Sequence, residues 1–460
     1  MHRIVCSIAA LALLCTGATF AQTAPIAPTL IGAHVGLYAI DLSDGAVLAN
    51  RHADDAFIPA STMKLIVGSA ALDRFPAGFA FTTRAWLLGT HLYLQGGGDP
   101  TFDDAALQAA ATAVAAAGVR AIDAITIDDT RYTGPHYPPG WSIDDMPYDY
   151  AAPITAFSLD DNVMHLEFAP AARPGEFARG IGPADAPLVL GASTLVTGAP
   201  GSADTSDLRR RWGHARLEAF GSIPQDGPPV TLDAAVQRPR AFAYARLREA
   251  LLERGVTVAG TAPAPGSVPA GARLLWTHAS PPLAQVLARF WLPSDNFYGE
   301  MLVNELGTAT TGPGTTLERG IDAERTWLAG IDVDPQSLTI VDGSGLSEYD
   351  RATPRALVAI LAHDWAGPHR SDVLAALPQA GVRGTLQSAF VDTPLRGILY
   401  AKTGSMNHTR TLAGYLITPA RTVAFALMIN DWMDASPGAA TALDRARAAM
   451  LEALLSIPAH

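Results

Sequence analysis

Lysine is almost missing from this chain: of its 32 basic residues, only Lys64 and Lys402 are not arginine. Cysteine is just as scarce, and its two copies, Cys6 and Cys15, both sit in an N-terminal leader. Past that leader no thiol remains for a disulfide, a thiolate metal site or a cysteine nucleophile. The chain has no basic run and a formal charge of −12, so it lacks the concentrated positive surface that nucleic-acid binding requires. Beyond the leader no apolar stretch approaches the ~20 residues of a membrane span, which limits membrane association to the peripheral kind. What remains is 460 residues, 49% of them hydrophobic, enough for a large core and two or three domains.

The leader itself is informative. Arg3 precedes an apolar stretch from Ile4 to Leu14, and Thr19 and Ala21 occupy the −3 and −1 places of a cleavage site. This pattern predicts a signal peptide over residues 1–21 and an exported, periplasmic protein. Anchoring through Cys15 as a lipoprotein is disfavoured, because Leu14 stands where a small residue is expected.

Two alternating runs, "AHVGLYAIDL" and "AVLANR", flank Ser43-Asp44-Gly45 and predict a hairpin. Helical spacing begins at Ser61. From Trp86 to about Thr277, short β-like pieces alternate with Gly- and Pro-rich turns, and residues 160–235 are richer still in Pro, Gly and Ala. Helical patterning returns over 281–292 and 296–307, followed by three strand-like runs and a closing helix. The order predicts an α+β fold: one antiparallel sheet covered by helices, with the middle of the chain inserted.

Ser61-Thr62-Met63-Lys64 places a hydroxyl and an amine one helical turn apart on one face. A serine hydroxyl needs a neighbouring base; lysine can lose its proton when buried, whereas arginine cannot. That requirement explains a lysine at position 64 in an arginine-rich chain. Lys402-Thr403-Gly404-Ser405 lies at the end of a strand, where a glycine lets a ligand approach the edge and the lysine and hydroxyls hold an anion. Ser294-Asp295-Asn296 offers a hydroxyl, a carboxylate and an amide between two helices; alone it reads as a helix N-cap.

Together and in this order, the three motifs resemble the set found in penicillin-binding proteins and serine β-lactamases. "IPASTMKL", "GGGDPTF", "PPGW", "SDNFYGEML", "VDGSGLSEYDRATP" and "AKTGS" resemble signatures of the S13 family of D-alanyl-D-alanine carboxypeptidases/endopeptidases, the class C low-molecular-mass penicillin-binding proteins. The resemblance implies a penicillin-binding domain from 22–85 and 278–460, an inserted domain from 86–159 and 236–277, and a further domain nested at 160–235, both insertions mainly β.

It also implies a mechanism. Ser61 attacks the penultimate D-Ala carbonyl of peptidoglycan stem peptides with Lys64 as base, Ser294 and Asn296 line the cleft, and Lys402 and Thr403 hold the terminal carboxylate. Lys402 stays charged in this reading. Backbone N–H groups of Ser61 and Ser405 form the oxyanion hole, and β-lactam antibiotics acylate the same serine. No metal or cofactor is required. Asp145, with Trp141 and Tyr148 in "GWSIDDMPYDY", stands where relatives receive the free amine of the stem's diamino acid. A β-lactamase or esterase sharing the nucleophile, and a non-catalytic wall-binding scaffold, are the alternative readings.

Overall fold

The computed structural model describes Leu30 and residues 32–211, 213–214, 216–433, 436 and 438–458. The expected signal peptide and both cysteines lie outside the described residues.

The run Thr422–Asn430 is buried at eight of nine positions, which is the pattern of a central strand covered on both faces. It pairs antiparallel with His34–Asp41 on one side and Thr409–Ile417 on the other, and the five-stranded sheet is completed by Val47–Arg51 and Leu399–Met406 at its edges. Alternation sends Ala424, Ala426 and Met428 into one core and Val423, Phe425, Leu427 and Ile429 into another, beneath the closing helix Ala439–Leu455. The sheet is therefore antiparallel and covered by helices on both faces.

The helix Lys64–Arg74 is buried at nine of its eleven residues, as expected for a helix apolar on nearly all sides. Gly68 makes this possible: a Cβ there would stand 2.5 Å from Trp291, whose indole Nε1 donates to the Lys64 carbonyl at 3.1 Å. The helix carrying Trp291, Leu283–Trp291, is thereby locked against the nucleophile helix.

Between these parts, Arg273–Ala279, Thr82–Leu88, His91–Gln95 and Ala124–Asp128 form a four-stranded sheet packed with helices Asp104–Ala116 and Pro239–Glu253. Its first two strands run across the boundaries expected at 85/86 and 277/278. Phe81 and Ser280 meet through two hydrogen bonds, of 2.9 and 3.0 Å, and we propose this pair as the crossing point between body and insertion. Residues 163–235 contribute small β-sheets of two and three strands, and their apolar side chains join the four-stranded sheet's in one continuous core.

Candidate active site

Ser61 sits in a tight 3-10 turn, Ala60–Met63, entered through Ala60 at φ 46°. Thr62 and Thr411 hydroxyls both donate to the Pro59 carbonyl at 2.7 Å and fix this turn against the sheet. One turn later, Lys64 Nζ donates to Ser61 Oγ at 2.7 Å, to Asn296 Oδ1 at 2.6 Å and to the Ser344 carbonyl at 2.7 Å. Lys64 is fully buried, and burial pushes its amine down to about 8 against the opposing pull of Asp342, Asp295, Glu300 and Asp350.

Ser294-Asp295-Asn296 acts both as a cap and as part of the cleft. The Asp295 carboxylate accepts from Phe297 N at 2.8 Å and Tyr298 N at 3.4 Å and so starts the helix Asn296–Thr308. Ser294 on one side of the cap, in a left-handed conformation at φ 68°, accepts from Lys402 Nζ at 2.7 Å. Asn296 on the other side accepts from Lys64. Three consecutive residues thus join the two lysines around one cleft.

Lys402 is as buried as Lys64, and its other partner is the Thr403 carbonyl at 2.9 Å. Burial, and then the charge of Lys64, push its amine well below the ordinary lysine range. Away from a ligand carboxylate, burial and the neighbouring Lys64 charge both disfavour the charged form of this amine. Thr403 Oγ1 lies 2.7 Å from Thr385 Oγ1, and Ser405 is exposed on the edge strand.

Gly404 also departs from expectation. A Cβ at this position would lie 2.1 Å from Thr411 Oγ1, 2.7 Å from the Pro59 carbonyl and 3.0 Å from Ser61 N. The glycine's first use is close packing of the strand against the nucleophile turn.

Behind Lys64 lies a buried structure built from the segment "VDGSGLSEYDRATP". Asp342 accepts from the backbone N–H groups of Ser344 at 3.1 Å, Gly345 at 2.6 Å and Ser347 at 2.8 Å, and from Trp141 Nε1 at 2.9 Å. This hub fixes the Ser344 carbonyl that receives Lys64. Glu300, Glu324 and Asp350 are buried around it, and burial followed by neighbouring negative charge raises all three, Glu300 to about 8. Of the carboxyl groups that oppose the lowering of Lys64, Asp342 is the largest influence.

The three outer candidates separate. Asp145 is half-buried and accepts from the Tyr150 hydroxyl at 3.0 Å, while the Tyr150 carbonyl accepts from Asn296 Nδ2 at 2.8 Å, so it joins the cleft through Tyr150. Trp141 is buried with its indole N–H committed to Asp342. Tyr148 stacks on Tyr150 but turns its hydroxyl to Asp207 at 2.8 Å, at the start of the strand Asp207–Arg210. Ser344, Asp342 and Tyr150 were not singled out individually by sequence reasoning; a backbone carbonyl's role leaves no residue-type signal.

Known proteins resemble most of this chain. A D-alanyl-D-alanine carboxypeptidase of Actinomadura sp. (strain R39) is 34% identical over 433 residues, covering 89% of this chain and 80% of its own length. D-alanyl-D-alanine carboxypeptidase DacB of Haemophilus influenzae is 24% identical, covering 87% and 86%. The crystal structure of penicillin binding protein 4 from Haemophilus influenzae superposes with a TM-score of 0.82 at 22% identity, covering 93% of this chain and 97% of that one, and shows the same fold. The D-Ala-D-Ala carboxypeptidase 3 (S13) family model matches residues 19–451, and the chain belongs to that family.

Proposed function

We propose that this chain is a serine DD-peptidase working through an acyl-enzyme on Ser61. The observation that carries the reading is the buried Lys64 amine, 2.7 Å from Ser61 Oγ and lowered to about 8. Lys64 takes the Ser61 proton as Oγ attacks the penultimate D-Ala carbonyl. The C–N bond breaks, and the leaving amine takes a proton relayed through Ser294. Water then releases the acyl group, with Lys64 again the base. Asn296 orients Lys64, and the amides of Ser61 and Ser405 stabilise the oxyanion, where one donor is worth ~3–4 kcal/mol.

The substrate's terminal carboxylate docks on Lys402 and Thr403 and draws Lys402 into its charged form. That new charge disfavours a proton on Lys64, so binding itself prepares the base. Asp145 and Tyr150 receive the stem's free ammonium. β-Lactams acylate Ser61 by the same attack, and the protein works in the periplasm after loss of residues 1–21. Among the described residues no helix is long and apolar enough to cross a membrane.

Incubating the protein with labelled penicillin and, separately, with muropeptides tests this reading. A long-lived adduct on Ser61, absent from Ser61→Ala, and loss of terminal alanine or of cross-links by mass spectrometry are expected. Peptide cleavage unchanged in Ser61→Ala overturns the nucleophile; rapid turnover of intact penicillin favours a β-lactamase.

A further inference from the structure

Six residues before Ser61, at Asp55, the chain completes a second cluster that the peptidase chemistry does not use. His34 opens the first strand of the body sheet, and His52 and Asp55 lie in the turn that follows the second. His34 Nε2 stands 3.0 Å from Asp55 Oδ2, and His52 Nδ1 stands 2.9 Å from the same oxygen. All three ligand atoms lie within 4.8 Å of one another, and among the described residues no other group of three His, Cys, Asp or Glu converges this way.

The three groups are held from behind. The His34 ring stacks on Phe57 at 4.1 Å and 20°, and the His52 ring meets His34 edge-on at 5.5 Å. His52 adopts φ 45°, a conformation non-glycine residues seldom take, and this turns its ring toward the carboxylate. Next to Asp55, Asp54 forms a two-pronged pair with Arg355 at 2.6 and 2.9 Å, and that guanidinium lies on the Tyr38 ring at 4.3 Å. The turn is therefore fixed on the sheet while the three ligand atoms face outward, with side chains 35% (His34), 50% (His52) and 46% (Asp55) exposed.

We propose that His34, His52 and Asp55 bind a divalent transition metal of the zinc class. Two imidazoles and one carboxylate are the donor set of an open zinc site, with water in the fourth position. Tetrahedral zinc at ~2.0–2.1 Å from each ligand needs donor atoms ~3.3 Å apart, so the two His–Asp55 spacings of 3.0 and 2.9 Å open by a few tenths of an ångström on binding. Imidazole donors select zinc, copper or nickel over magnesium and calcium. The ion ties the start of the first strand to the segment 52–58, whose next residues form the nucleophile turn. It stabilises that segment and takes no part in acyl transfer.

Calorimetric titration of the mature, folded protein with zinc chloride tests this. One zinc per chain is expected, with no binding of magnesium or calcium, and the four-coordinate visible spectrum of cobalt(II) when cobalt replaces zinc. His34→Ala/His52→Ala loses affinity at least ~100-fold, since loss of an outer-shell partner alone costs up to that much. Asp55→Asn, which preserves the shape of the turn, weakens binding at least ~10-fold. Penicillin acylation stays unchanged in both variants. Absence of stoichiometric zinc binding by the unaltered protein, or binding that survives these substitutions, overturns the proposal.

Discussion

The two walls of the cleft each bury a lysine, yet they treat it differently. On the helical wall, Lys64 has three oxygen acceptors and a set of carboxyl groups behind it, and its amine settles at about 8. On the strand wall, Lys402 has a hydroxyl and a carbonyl, no carboxylate among its charged influences, and the Lys64 charge against it. The first amine is tuned by its own protein so that it titrates within working range; roughly a tenth is neutral at pH 7. The second awaits a negative charge from outside. Burial alone would depress both, so the difference lies in which wall supplies its own counter-charge.

Exchanging each lysine for arginine is the most forceful way to break this comparison. Lys64→Arg keeps the charge but removes the base, and acylation by penicillin is expected to fall ~10³–10⁴-fold. Lys402→Arg retains a carboxylate partner with different geometry; a loss of ~10–100-fold is expected, confined to peptides with a free terminal carboxylate and absent from their amides. Equal losses in both variants, for both kinds of peptide, would show that the walls do not differ.

The next effect concerns the counter-charge. In the unaltered protein the acylation rate is expected to rise roughly tenfold per pH unit until about pH 8 and then level, because only neutral Lys64 accepts a proton. Asp342 is the largest influence holding that amine up, so Asp342→Asn moves the rising limb to lower pH. The same change disrupts a carboxylate with four donors and costs about 3 kcal/mol of stability, read by denaturant melting. An unmoved limb would remove Asp342 from the account. The smallest effect is Glu300→Gln: its carboxyl is raised to about 8 and already mostly protonated at pH 7, and glutamine keeps the acceptor for Gly343 N. Activity within ~3-fold of the unaltered protein is expected; a large change would mean that Glu300 carries charge.

Much of this was legible before any coordinates. Period-two alternation predicted the hairpin, strand-like composition the last three strands, and the Asp295 cap could be read from residue type. Helical spacing put Ser61 and Lys64 on one face, and their side chains do meet. Reading by residue type went astray where neighbours decide. Gly404 looked like room for a ligand and is room for Pro59 and Thr411. The bond from the Trp141 indole N–H to Asp342, 201 residues away in sequence, had no residue-type signal. Lys402 was legible as an amine for an anion, but its complete burial beside the Lys64 charge was not.

The chain's order of residues determined by itself which groups could react: a hydroxyl with a deprotonable amine one turn away, and an amine reserved for an anion on a strand edge. Only the tertiary structure decided their charge states and aim, since both depend on burial and on backbone carbonyls and carboxyls brought from hundreds of residues away. Those contacts are set by packing, and packing has no local spelling.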